Sequence, residues 1–442
     1  MDRLPELDSL HNRKQLIRIP DQLDIPLTAR VKRLIDTRAF RRLASISQLG
    51  LVQLVYPGAT HTRFEHSLGV YRNTLLVVDH LLADPNFPEA VSEGDLQSLI
   101  VASLLHDLGH WPFCHPIEDL KLEGLPEHES FVEHWIRDSE ISDLLTQDWG
   151  IQPEQVLGLL AGEKGTDVQA LLRSVLSGPI DVDKLDYLYR DSLHAGIPYG
   201  RNFDRQRLIG SLCVDANGRS IALDEKAKTA AEMMVFARYV MFSEVYWHHA
   251  VRAATAMFQR AFYELYSQGG EWQTWFLQDE PDLIRTLRPL AESTGVGGLW
   301  EGLFGSRRRL YKRLAQFSVF EGEAIYTRIA RRPFPWLVEC GKQLGNLLAS
   351  HLGQAIDTTE VLIDAPPVGL EVEFKVNVRS QEEFRSLGEI SPVVQTLATR
   401  QFDDYVKRVR IFVHPRLEAV RSLPQSIVVQ LLEQAIDQTT SE

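Results

Sequence analysis

The chain has 442 residues, of which 44% are hydrophobic and 24% charged, the balance of a globular protein rather than a disordered one. A net charge of −13 argues against a main role in wrapping nucleic acid or adhering to an anionic membrane, and it requires that any anionic substrate meet a local concentration of positive charge. Three scattered cysteines (Cys114, Cys213 and Cys340) argue against a disulfide framework or a zinc ribbon, Met1–Pro20 lacks the apolar stretch of a signal peptide, and no run of about 18 apolar residues reads as a membrane span, so a cytoplasmic location is expected.

Apolar spacing predicts helices over Thr28–Leu43, Ser67–Ala83 and Asp95–Leu108, with Pro112 and Pro116 breaking the chain after His110. Val168–Leu176 and Val182–Leu193 read as two more, separated by the turn signal Ser177-Gly178-Pro179. Ala227–Gln268 suggests one or two long helices, and Arg307–Leu314 and Leu337–Leu352 shorter ones. The character then changes. Thr359–Ile363, Leu370–Val378 and Val406–Val413 alternate or run β-branched and read as strands, before a last helix over Leu423–Ile436. The expected fold is mostly α, with a helical core over 1–325 and a smaller α+β lobe over 326–442.

Histidine use carries the chemistry. Among 14 histidines, His61, His66, His106, His110, His115, His128 and His134 crowd one region. Leu104-Leu105-His106-Asp107-Leu108-Gly109-His110 sets an adjacent His-Asp pair on an otherwise apolar helix, where burial is costly. A divalent cation removes that cost, because it takes a neutral imidazole and a carboxylate as ligands. His110, at i+4 from His106, shares its face and can lie beside a metal without binding it. The pair alone is a weak signal, since a capped and solvated helix end reads the same way. Two further polar clusters strengthen it: Arg63-Phe64-Glu65-His66-Ser67-Leu68-Gly69 and Ile180-Asp181-Val182-Asp183-Lys184-Leu185-Asp186-Tyr187. Ligands lent by several helices suit a site inside a bundle. Two histidines and two carboxylates leave open positions, which favours one Mn, Fe, Mg or Zn ion in a catalytic role over a closed structural zinc.

The stretches IDTRAF…SQLGLVQLVYPGATHTRFEHSLGV (Ile35–Val70), HDLGHWPFCH (His106–His115), EHES (Glu127–Ser130) and IDVDKLDYLYRDSLHAGI (Ile180–Ile197) occur in this order. Together they resemble the HD superfamily, and within it the SAM- and HD-domain-type deoxynucleoside triphosphate triphosphohydrolases and their bacterial relatives. The resemblance covers residues 30–260, without a SAM domain. It implies an HD-domain helical core with a smaller C-terminal lobe, and it places the metal on His66, His106, Asp107 and Asp183. The implied reaction is metal-dependent hydrolysis of a dNTP at the α-phosphorus to a deoxynucleoside and triphosphate. Charge develops as the ester breaks, so cations and a proton donor must face it. The resemblance puts active-site histidines at His110, His115 and His128, one of them the general acid, with Glu118 and Glu129 orienting them. Phosphate-binding cations fall on Arg63, Lys184 and Arg238. Gln48 and Leu49 match the pair that reads the 3′-hydroxyl and closes space at C2′. Tyr187 falls at a sugar contact, Asp191 at the 3′-hydroxyl acceptor, and Tyr246 packs on the sugar. Helical spacing agrees, because Asp183, Tyr187 and Asp191 share one face and Arg238, Phe242 and Tyr246 another. Leu49 and Tyr246 would leave no room for a 2′-hydroxyl.

Read without the resemblance, Tyr187 and Tyr246 are core tyrosines, Arg63 is a surface turn residue and Lys184 an ordinary ion-pair partner. His61 and His134 read as structural, His248 and His249 as solvated, and His80, His351 and His414 as incidental. The sequence departs from the nucleotide-activation pattern of the animal enzymes. Ile19–Pro26 lacks an Asp-Pro-x-His-Gly segment, Asp36 is present, and Ala44 stands where arginine is expected. A GTP-type allosteric site is therefore not expected. Trp247 also replaces a frequent glutamine after Tyr246. Two competing readings are another HD-family nucleotidase or phosphodiesterase, and a catalytically weak nucleotide-sensing or nucleic-acid-binding protein. Gln48, Leu49, Asp191 and Tyr246 favour a dNTP over the former, and His110, His128 and Lys184 argue against the latter. A dimer or tetramer is expected. Nucleic acid is not a favoured partner, single-strand contact in a local groove being the form left open.

Overall fold

The structure is a computed structural model that describes residues 4–12, 15–21, 23–162, 165–366, 376–381, 383–397 and 406–440. The helices around the histidine-rich region begin where the sequence supplies a cap. Thr62 opens α1 (Arg63–Leu81), its side chain accepting from the Glu65 amide. Ser92 and Asp95 cap each other reciprocally ahead of α2 (Glu93–Leu105). That helix is apolar nearly all round, burying Leu96, Leu99, Ile100, Val101, Leu104 and Leu105, as a central helix must. It ends in a 3-10 turn over His106–Gly109, against which α3 (His128–Ile136) packs. Asp181 caps α4 (Val182–His194) by accepting from the Lys184 amide at 2.7 Å, and α4 packs along α1. Downstream, α5 (Lys228–Met241) runs into a π-helical turn over Phe242–Tyr246, the chain breaks at an extended His248 that caps α6 (His249–Ser267), and α7 (Glu280–Ser293) follows.

The strands make three small sheets. A hairpin of β1 (Leu16–Ile19) and β2 (Leu23–Pro26) lies near the N-terminus. The second sheet joins β3 (Leu212–Val214) and β4 (Ile221–Asp224) to β7 (Asn377–Ser380) and β8 (Glu383–Ser386). The third has the order β5 (Lys312–Phe317), β9 (Val409–Val413), β6 (Val361–Asp364), all antiparallel. Val361, Ile363, Val409, Ile411 and Val413 alternate onto one face of this sheet and share a core with α8 (Phe334–Leu352) and α9 (Gln425–Thr440). Leu362 and Phe412 turn the other way, into the core around α6.

The architecture is mostly α with a smaller C-terminal α+β lobe, as expected. Several elements differ from the sequence pattern. Thr28–Leu43 is not one helix but two, Ala29–Ile35 and Arg38–Arg42, because Thr37 donates to the Leu34 carbonyl at 2.7 Å and caps a new start by accepting from Phe40. Arg307–Leu314 is not helical. The chain enters β5 at Lys312, where ladder pairing to β9 and burial of Ala315 and Phe317 override the local pattern. Residues 370–375 of the strand expected at Leu370–Val378 lie outside the described residues, and β7 pairs with β4 instead of the lobe's sheet. No helix among the described residues is long and apolar enough to cross a membrane.

One buried ion pair ties the lobe to the helices. Arg252 on α6 donates to Asp364 on β6 through Nη2 at 2.6 Å and through Nε at 3.1 and 3.2 Å, and its guanidinium lies 4.2 Å from the Trp247 ring. Removing one partner strands the other charge in a dry interior. Asp364→Ala is expected to destabilise the protein by about 3–5 kcal/mol in denaturant unfolding, and a loss below about 1 kcal/mol would show that the pair does not hold the lobe.

Candidate metal centre and active site

Donor atoms converge where α1, the His106–Gly109 turn and α4 meet. His66 Nε2 lies 3.3 Å from His106 Nε2 and 2.9 Å from Asp183 Oδ1. His106 Nε2 is 3.5 Å from Asp107 Oδ1 and 3.9 Å from Asp183 Oδ1. Ligands about 2.1 Å from a shared ion in octahedral geometry sit about 3 Å apart, so these spacings suit a divalent cation. The other ring nitrogens fix the tautomers. His106 Nδ1 faces the Ser103 carbonyl at 2.9 Å, which can only accept, and His66 Nδ1 faces Asp186 Oδ2 at 2.9 Å. Both Nε2 lone pairs are thereby left for a metal. Burial pushes the His66 imidazole down, but its bonds to Asp183 and Asp186 outweigh this and lift it to about 10, a measure of negative charge that a cation would neutralise.

A buried ionic chain stands behind the cluster. Arg190 grips Asp186 through Nε at 2.8 Å and Nη2 at 2.7 Å, and reaches Glu65 through Nη1 at 2.6 Å. Glu65 also faces His194 Nε2 at 3.0 Å. α1 approaches this chain at Gly69, where a Cβ would fall 1.9 Å from Asp186 Oδ1, so glycine is what the close approach requires.

The three histidines named as proton-transfer candidates gather beside the metal cluster. The His110 and His128 rings are 4.0 Å apart between centroids, and His110 and His115 5.2 Å. Glu118 receives both the backbone amide and Nδ1 of His128, each at 2.8 Å, and lies 3.4 Å from His115 Nδ1. Glu129 is farther from His128, at 3.6 Å, and mostly exposed. The environments push two imidazoles apart. Burial, Arg63 and His128 hold His110 well below its usual range, whereas Glu118 overcomes burial and raises His128. His110 Nδ1 is 3.0 Å from Asp107 Oδ1 but misses hydrogen-bond alignment, so that contact is electrostatic.

The anion-binding candidates line the same region. Arg63 is buried, not a surface turn residue, and donates to Asp107 Oδ2 at 3.0 Å. Lys184 pairs with Asp181, and Lys184 and Arg238 both bear on the partly buried Tyr187. At the sugar end, Asp191 accepts from Tyr246 Oη at 2.6 Å and faces His61 Nε2 at 2.8 Å. The Gln48 amide donates to the His61 carbonyl at 3.0 Å, which brings Gln48 and Leu49 to that end. His61, expected to be structural, is buried against Asp191 and stacks on His194 with centroids 4.4 Å apart. The continuous helical face expected for Arg238, Phe242 and Tyr246 is interrupted by the π-helical turn, yet Arg238 and Tyr246 still act on one another. Asp186, Arg190, Glu65 and His194 have no counterpart in the sequence expectations. The one local hint was Asp186 three residues after Asp183, on the same helical face.

A second cavity of about 770 Å³ lies elsewhere, lined among others by Arg308, Arg309, Lys312, Arg313, Arg421 and His249. His249 is exposed there, as the solvated histidine expected, and desolvation with neighbouring cations lowers its imidazole to about 4.

Residues 63–188 match the HD domain, and residues 203–436, more than half of the chain, match the HD associated region. The chain is 31% identical over 386 residues to the uncharacterized protein MJ1154 of Methanocaldococcus jannaschii, covering 87% of this chain and 76% of that one. It is 34% identical over 281 residues to the human deoxynucleoside triphosphate triphosphohydrolase SAMHD1, covering 56% of this chain and 44% of that protein. Several other relatives are matched over about half of their own length. The crystal structure of a hypothetical protein from Aquifex aeolicus superposes with a TM-score of 0.71 at 28% identity, covering 92% of this chain and 99% of that one. The chain belongs to the HD-domain family.

Asp186→Ala is expected to weaken divalent-metal affinity by about 10–100-fold, measured by titration calorimetry after chelator treatment, because His66 Nδ1 loses its orienting acceptor. Unchanged affinity in a folded variant would remove Asp186 from the centre.

Proposed function

We propose that this chain hydrolyses deoxynucleoside triphosphates at the α-phosphorus, releasing a deoxynucleoside and inorganic triphosphate. The observation that carries this reading is the joining of the His66–His106–Asp107–Asp183 cluster to a closed sugar end in which Asp191 is held by Tyr246 and His61. A divalent ion held by those four residues supplies Lewis-acid polarisation of the phosphate and activation of water. The water oxygen bonds to the α-phosphorus, the bond from phosphorus to O5′ breaks, water gives up a proton and O5′ takes one. Arg63, Lys184 and Arg238 offset the charge on the phosphates. His128, kept protonated by Glu118, is the proton donor to O5′, and His110, held neutral, is suited to accept. Gln48, Asp191 and Tyr187 orient the sugar, and Leu49 with Tyr246 excludes a 2′-hydroxyl. An HD-family nucleotidase or phosphodiesterase would release monophosphate or pyrophosphate instead, and a sensing protein would bind without turnover.

The cationic cavity around Arg308 and Lys312 is sized and charged for a nucleotide polyphosphate, and we assign to it any regulatory nucleotide the protein takes. This effector need not be of the GTP type, since Ala44 removes the arginine that type requires.

Metal-loaded protein incubated with each dNTP and NTP is expected to release triphosphate from dNTPs; monophosphate or pyrophosphate as the product would sink the reading. Asp107→Ala is expected to lower kcat/KM by about a thousandfold or more, roughly 4 kcal/mol of transition-state stabilisation, together with loss of metal. Glu118→Gln removes the anion that raises His128, so the fall of kcat at alkaline pH should begin at lower pH than in the wild type. An unmoved alkaline limb would take the donor role from His128.

A further inference from the structure

Glu280 is a carboxylate in an expensive place. It begins α7, is nearly fully buried at 6% exposure, and does not cap its own helix, because Asp279 does so by accepting from the Asp282 amide at 3.0 Å. Both of its oxygens are turned to a residue 233 positions earlier. Oε1 accepts from the Ser47 amide at 2.9 Å and Oε2 from the Ser47 hydroxyl at 2.6 Å. Ser47 is the root of the sugar-end wall. It bridges to Thr62, the Gln48 amide donates to the His61 carbonyl at 3.0 Å, and the Arg63 amide donates to the Ile46 carbonyl at 3.0 Å. Gln48 and Leu49 therefore leave this short bridge with their direction set by Ser47, and Arg63 leaves from its other side. Two residues before Glu280, the Gln278 carbonyl accepts from Arg42 at 3.2 Å, and Arg42 also donates to the Leu108 and His110 carbonyls at 2.9 and 2.8 Å. One short segment leading into α7 thus holds both the sugar-end wall and the histidine turn.

We infer that Glu280 is a positioning residue that fixes the Gln48–Leu49 wall and so sets discrimination between deoxyribo- and ribonucleotides, an inference that rests on the dNTP reading above. The carboxylate does not touch substrate. It denies the Ser47 backbone the freedom to withdraw, and a wall free to shift by even an ångström would admit a 2′-hydroxyl. A residue that merely stabilised the fold would lower activity on both sugar classes alike.

The test uses full-length, metal-loaded protein with two readouts. The first is the ratio of kcat/KM for a dNTP to that for the matching NTP. The second is amide hydrogen exchange of the peptide covering residues 44–54. Glu280→Ala is expected to lower the ratio by about tenfold or more and to speed exchange in that peptide but not in α2. Glu280→Gln should restore most of both, since its amide oxygen can accept from the Ser47 amide while its NH2 donates to the Ser47 hydroxyl. Ser47→Ala, which keeps the amide contact, should move both readouts in the same direction by less, and it serves if Glu280→Ala does not fold. Exchange that stays at the wild-type level in the alanine variants overturns the inference, and so does faster exchange with an unchanged ratio in an active enzyme. Wild-type protein that hydrolyses no dNTP overturns the functional reading instead, and the exchange arm then still decides whether Glu280 holds the wall.

Discussion

Everything in this molecule answers to one electrostatic constraint: two imidazole nitrogens and two carboxylates are forced together inside a helical core. Without compensation such a cluster would drive its own helices apart or neutralise by protonation. The surrounding architecture supplies the compensation in layers. Arg63 balances Asp107, Arg190 balances Asp186 and Glu65, and Lys184 balances Asp181. Each of these cations is itself largely buried, so the charges form an interlocked lattice rather than a set of surface pairs. A divalent cation at the centre would complete that balance, and its binding would then be coupled to structural order.

The same lattice assigns different tasks to chemically identical side chains. His66 and His106 are turned by Asp186 and the Ser103 carbonyl so that one nitrogen of each stays free, whereas His110 and His128, ring against ring, are driven to opposite protonation preferences by what stands behind them. Position in the sequence cannot separate these roles; the partner at the far nitrogen does. Only 33% of the Asp183 side chain remains exposed beside a sealed His66, which indicates the side from which the cluster is reached.

Much of this was legible in the sequence, and the part that was not has a common cause. Local pattern marks α2, α4 and α8, because a helix carries its periodicity within itself. The residues brought together around His66 could be named from their chemistry, since His-Asp pairs on apolar helices are costly without a ligand. Contacts that depend on distant segments leave no local trace. Nothing near Ser47 announces Glu280, nothing near Asp364 announces Arg252, and Asp186 acquires its partner only because Gly69 lets two helices touch. Strand β5 was misread for the same reason: its ladder partner, β9, enters the chain about a hundred residues later.

The π-helical turn at Phe242–Tyr246 bears on how this site could change over evolutionary time. Such a turn holds one residue more than an α-turn, and one residue corresponds to about 100° of rotation about the axis. The aim of the Tyr246 hydroxyl at Asp191 is therefore encoded in a count of residues as well as in their identity. Excision of a single residue between Met241 and Trp247 would regularise that turn and swing Tyr246 to another face, whereas α6 with its Arg252 anchor starts afresh beyond the break at His248. Point substitution can tune this end of the site by degrees, whereas a one-codon deletion would rewire it in a single event.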